Sequence, residues 1–71
     1  MNATQLLEHI VNENCISDNF VNVPNNENDI NIWFSRASSK WTLELNGIVI
    51  FQSKLAIHLV NKLVRLNLIN L

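Results

Sequence analysis

Lys54, His58, Lys62 and Arg65 are spaced i, i+4, i+8 and i+11. On a helix that spacing projects all four from one surface, where they could neutralise phosphate oxygens. Ser53-Lys54 falls where the N-terminus of such a helix attracts anions. The same pattern also describes the solvated side of an amphipathic helix, with Lys62 and Arg65 late enough to complement the helix dipole. Five Lys and Arg residues in 71 make a small complement for a nucleic-acid binder. The solvated face is therefore the favoured reading, and anion or nucleic-acid contact by these four residues is the alternative.

Other chemistries find less support. Glu8, His9, Glu13 and Cys15 are close in sequence, and His9 and Glu13 are four residues apart, but the set lacks any zinc-ligand spacing. They read as surface residues of a helix, and no metal site is expected. Cys15 falls at the C-terminal end of that helix, where the dipole disfavours a thiolate, and no base is placed near it. Gly47 is the only glycine, which excludes a glycine-rich loop around phosphates. No catalytic residue and no cofactor are expected, and the chain does not read as an enzyme.

The aromatic residues point to binding. Ile30, Ile32 and Phe34 alternate with Asn31, Trp33 and Ser35, as a half-buried strand does. If Phe34 faces a core, Trp33 faces away from it. Trp41-Thr42-Leu43-Glu44-Leu45 alternates again and is followed by Asn46-Gly47 and Ile48-Val49-Ile50-Phe51. Asn-Gly between apolar runs predicts a two-residue hairpin, because a type I′ turn needs φ > 0 at both central positions. A two-residue turn fixes the register and puts Leu43, Leu45, Ile48 and Ile50 on the core face, and Val49 and Phe51 beside Trp33 on the other. Leu68, Ile69 and Leu71 extend the chain past any evident helix stop. Trp33, Val49, Phe51, Leu68, Ile69 and Leu71 are thus the candidate protein-binding residues.

The elements that position these residues follow from periodicity. Leu6, Leu7, Ile10 and Val11 make one apolar stripe, predicting a helix over about 3–14, with Asn2 and Gln5 at capping-box spacing and Thr4 as a rival cap. Residues 15–29 read as a long connection. It has room for a short extra edge strand near 20–23, which Pro24 would end or restrict to an edge, and then a polar run, Asn25 to Asp29, expected to be the most mobile part of the chain. Strands follow over about 30–36, 40–45 and 48–52. Leu55, Ala56, Leu59, Val60, Leu63, Val64 and Leu66 form the apolar face of a helix over about 54–67, with Ser53 as its expected N-cap. The fold class is α+β: a single small domain in α-β-β-β-α order, an antiparallel three-stranded meander packed against two helices.

That order, with Thr42-Leu43-Glu44-Leu45-Asn46-Gly47-Ile48-Val49-Ile50-Phe51 feeding into Ser53-Lys54 and then Ala56, resembles the double-stranded-RNA-binding domain. The resemblance implies a sheet backed by two helices, and of that family's phosphate contacts it carries over only Lys54.

Composition narrows the setting. A lone cysteine cannot make an internal disulfide, and no run of eighteen apolar residues is present to span a membrane. The first residues lack the pattern of a signal peptide, so a cytoplasmic protein is expected. Thirteen residues are Asn; together with the abundant Ile and scarce Gly, this fits the AT-rich coding of a phage, a plasmid or an AT-rich bacterium. Net charge is −1, yet Glu8, Glu13, Asp18, Glu27 and Asp29 give residues 1–35 a charge of −5, while residues 36–71 carry +4. The expected function is a non-enzymatic protein-binding module, a small regulator or inhibitor acting through an apolar sheet face on a protein partner or on a second copy of itself. Nucleic-acid regulation through the basic stripe is the alternative.

Overall fold

The polypeptide enters its first helix through a reciprocal cap. Asn2 Oδ1 accepts from the Gln5 N–H at 2.9 Å, and Gln5 Oε1 accepts from the Asn2 N–H at 3.0 Å. Two donors that a helix start leaves unpaired are thereby satisfied. The computed structural model describes residues 1–13 and 20–71. Its elements are α1 (Ala3–Glu13), β1 (Val21–Val23), β2 (Ile30–Ser35), β3 (Lys40–Leu45), β4 (Ile48–Ser53) and α2 (Ala56–Arg65). Residue 14, the expected last position of the first helix, lies outside the described residues, as does Cys15. Thr4, the competing cap, sits exposed within α1. Asn2→Ala is expected to cost about 1 kcal/mol, lowering the thermal midpoint by roughly 4–8 °C. Thr4→Ala should leave it unchanged, and equal losses for the two variants would refute the assignment of the cap.

The four strands form one antiparallel sheet in the order β1-β2-β3-β4, an α+β meander. The short strand anticipated near 20–23 is β1, paired to β2. Strand alternation places Val21, Ile32 and Leu43 in one cross-strand row and Val23, Ile30 and Leu45 in the next. These rows face Leu6 and Ile10 of α1 and Leu59, Val60 and Leu63 of α2 in the core. Phe34 and Trp41 pair at the far end of that face, rings edge to face at 5.5 Å. Both helices cover one side of the sheet. Asn22, Asn31, Trp33, Thr42, Glu44 and Val49 occupy the uncovered side. Among the described residues, no helix is long and apolar enough to cross a membrane.

The Asn46-Gly47 turn forms as predicted, with φ of 51° and 84° at its two positions. Beyond it the strands slip. Glu44 pairs with Val49 but Leu43 pairs with Phe51, leaving Ile50 as the extra residue of a β-bulge. Thr42 therefore meets Gln52, and Trp41 meets Ser53. This corrects the expected face assignment: Phe51 shares Leu43's face and packs on the core, while Ile50 does not occupy Leu43's cross-strand row.

The polar run before β2, expected to be mobile, is tied down by its own asparagines. Asn25 Oδ1 accepts from the backbone N–H groups of Glu27 and Asn28, both at 3.0 Å. Asp29 donates its N–H to Asn46 Oδ1 at 2.8 Å and accepts the Asn46 N–H at its carbonyl at 2.7 Å. Asn46 Nδ2 also reaches Asn28 Oδ1 at 3.0 Å. In an antiparallel meander the β1–β2 and β3–β4 connections lie at the same end of the sheet. Here side-chain amides join the two, supplying the anchor that apolar residues do not.

The end of α2 has a stop that the sequence reading overlooked. Asn67 takes φ 58°, its N–H donates to the Val64 carbonyl, and the Leu68 N–H donates to the Leu63 carbonyl, both at 3.0 Å. This is a Schellman motif with Asn at the left-handed position. It turns the chain back toward α1, where Asn70 accepts from the Ala3 N–H at 2.8 Å and Ile69 enters the core at 7% exposure.

Candidate functional site

The six candidate protein-binding residues do not form one surface. Trp33 and Val49 face the uncovered side of the sheet, Phe51 lies half-buried on the helix side, Leu68 packs against the core and Ile69 belongs to it. Leu71 is 87% exposed beyond the tail. Trp33 is also engaged locally. Thr42 is only 1% exposed although no helix covers its face. Its cross-strand neighbours are Trp33 on one side and Gln52 on the other, and Gln52 Nε2 donates to Thr42 Oγ1 at 3.1 Å. Trp33 and Gln52 roof the threonine, so part of the indole serves the fold.

Exposed apolar surface gathers instead along β4. Ile48 is 67% and Val49 49% exposed, and Ile50 at the bulge is partly so; Leu55, before α2, and Ile57, within it, are exposed too. The strand pairs with β3 on one side, and among the described residues no strand pairs with its other side. From Ile48 to Ser53 it carries no charge and no proline, although these are the residues that usually guard an edge. The opposite edge is protected: β1 is three residues long and is followed by Pro24. This edge was legible as four consecutive apolar residues without alternation, a run that the uninterrupted hairpin divided between two faces.

The basic stripe is shorter than its spacing predicts. Ser53 is the last residue of β4, and α2 begins at Ala56, so Lys54 precedes the helix and is not on its face. Leu55, not Ser53, holds the cap position, with no side-chain cap bond. Ser53 Oγ still accepts from the Leu55 N–H at 3.3 Å and shares a 2.6 Å hydrogen bond with His58 Nδ1, fixing the ring. His58, Asn61, Lys62 and Arg65, at i, i+3, i+4 and i+7, line with Phe51 a shallow cleft of about 170 Å³. Lys62 Nζ stands 5.7 Å from the centroid of the Phe51 ring, within cation–π range. Among the described residues neither Lys62 nor Arg65 is ion-paired, so the charge of the cleft is not neutralised from within.

The grouping of Glu8, His9, Glu13 and Cys15 includes a cysteine outside the described residues. Among the described residues, no three His, Cys, Asp or Glu side chains come together. Comparison of the chain with protein-family models, curated proteins and solved structures finds no match.

Proposed function

We propose that the chain is a non-enzymatic recognition module, a small cytoplasmic regulator or inhibitor that docks a protein partner along the open β4 edge of its sheet. The observation that carries this reading is the contrast between the two edges. β1 is short and followed by proline, whereas β4 offers six residues of apolar or neutral strand with Ile48 and Val49 exposed. Unpaired backbone N–H and C=O groups on such an edge give affinity to an extended segment, and exposed side chains on alternate faces give it selectivity. Val49 and the bulged Ile50 frame the contact, while Trp33, on β2, stands two strands inward.

Selection of binders from a randomised twelve-residue peptide display library on the immobilised chain tests the reading. The expected result is enrichment of extended, β-prone sequences. Their binding protects the backbone amides of residues 48–53 from hydrogen exchange and disappears when Ile48→Lys and Val49→Lys are combined. Both positions are exposed, so that variant should keep the wild-type thermal midpoint within the ordinary range for surface changes, about ±0.5 kcal/mol per site. Binders that protect residues elsewhere, or that survive the double substitution, would overturn it.

A further inference from the structure

Resting on the docking reading above, we infer that the segment which pairs with β4 is acidic: an extended peptide with carboxylates on alternate residues. A strand added to the outer edge of β4 presents its side chains alternately to the two sides of the sheet. On the helix side, the added strand runs beside the cleft where α2 holds His58, Asn61, Lys62 and Arg65 above Phe51. Lys62 and Arg65 have no acidic partner among the described residues, so incoming carboxylates meet cations that no described acid neutralises. On the opposite side the same strand meets Val49, whose exposed side chain suits apolar residues. Glu44, the one acidic residue of β3 and β4, lies on that apolar-facing side. The charges that an incoming strand meets are thus sorted by face, and they select alternating acidic and apolar residues.

The same geometry disfavours a second copy as the occupant. Antiparallel pairing of β4 with its own copy is two-fold about an axis perpendicular to the sheet. Both α2 helices would then lie on one side of the joined sheet, and Lys62 and Arg65 would confront their own copies across it. Like charges so placed are repulsive and select against that partner. A nucleic-acid backbone satisfies the cations but leaves the strand edge and Ile48, Val49 and Ile50 unused.

Titration of the isotopically labelled full chain, followed by amide chemical shifts, decides among these. The probes are three: an eight-residue peptide alternating valine and glutamate, its valine–lysine counterpart, and a short RNA duplex. The valine–glutamate peptide is expected to shift the amides of residues 48–53 and to bind roughly tenfold or more tightly than the lysine peptide. Lys62→Glu with Arg65→Glu should remove or reverse that preference while leaving the amide spectrum folded. Equal binding of both peptides at β4 would end the acidic inference and leave edge docking standing. No shift at β4 with either peptide would remove both. Shifts confined to His58, Lys62 and Arg65 on adding RNA, with β4 unmoved, would replace both with nucleic-acid binding, and dimerisation through β4 without peptide would identify a second copy as the occupant.

Discussion

Ile69→Ala is expected to destabilise the fold by about 2–5 kcal/mol, the usual range for emptying a buried isoleucine site. Ile69 is 7% exposed and belongs to the same core as Leu6, Ile10 and Leu63. Three hydrogen bonds hold the tail where it delivers this side chain: Leu68 N–H to the Leu63 carbonyl at 3.0 Å, Ala3 N–H to the Asn70 carbonyl at 2.8 Å, and Asn25 Nδ2 to the Leu68 carbonyl at 3.3 Å. The surroundings are therefore fixed and have little freedom to collapse into the cavity. A domain of this size has only about 5–10 kcal/mol of total stability, so the loss is a large fraction of it. Leu71→Ala is the control: at 87% exposure it should change stability by less than about 0.5 kcal/mol. Urea midpoints at unchanged slope measure both, and coincident midpoints for the two variants would show that the tail is peripheral.

The features legible in the sequence are those in which one residue type has one local solution. Asn2 and Gln5 predict the capping box because both partners of the reciprocal bond are specified. Asn46-Gly47 predicts the turn because few other residues tolerate two successive positive φ angles. Alternation in Ile30–Phe34 and Trp41–Leu45 assigns faces correctly, including Trp33 away from the core. The failures occur where the pattern is degenerate. Ile48-Val49-Ile50-Phe51 has no polar residue to mark a face, so nothing in it records the bulge at Ile50, and a one-residue slip moves Phe51 to the other side of the sheet. Asn67 ends α2 through a positive φ, but with thirteen asparagines in the chain no single one announces itself as the stop.

The candidate site suffered from the same degeneracy. Once the bulge places Phe51 under Lys62, one member of the predicted aromatic patch joins the basic stripe, which sequence alone keeps as a rival site, while Trp33 stays on the other face. The apolar residues that remain exposed are then those of β4 itself. Periodicity assigns side chains to faces, but it does not say which strand ends a sheet, and that topological fact is what leaves Ile48 and Val49 without cover. Ser53 shows the same limit at shorter range. Its hydroxyl does accept from the amide two residues on, as a cap would, yet β4 extends through it and the helix begins three residues later.

Gly47→Val is expected to destabilise the fold by about 1–3 kcal/mol, on the order of 10 °C in thermal midpoint for a domain this small. A Cβ added at Gly47 meets nothing within 4 Å, while the residue holds φ at 84°. The cost is therefore that of the backbone conformation alone, and it is greatest for a β-branched side chain. Gly47→Asn, which supplies a Cβ but tolerates a left-handed backbone, should recover most of the loss. The variant should also loosen more than the turn. Asn46, held at φ 51°, exchanges two hydrogen bonds with Asp29 and a third with Asn28, so straining Gly47 strains the junction between the two connections at that end of the sheet. Hydrogen exchange should accordingly accelerate at the amides of Asp29 and Asn46 as well as along β4. An unchanged midpoint for Gly47→Val would remove the type I′ assignment. Equal losses for Val and Asn would show that the dihedral angle is not the cause, and acceleration confined to Gly47 and Ile48 would show that the asparagine junction holds independently of the turn.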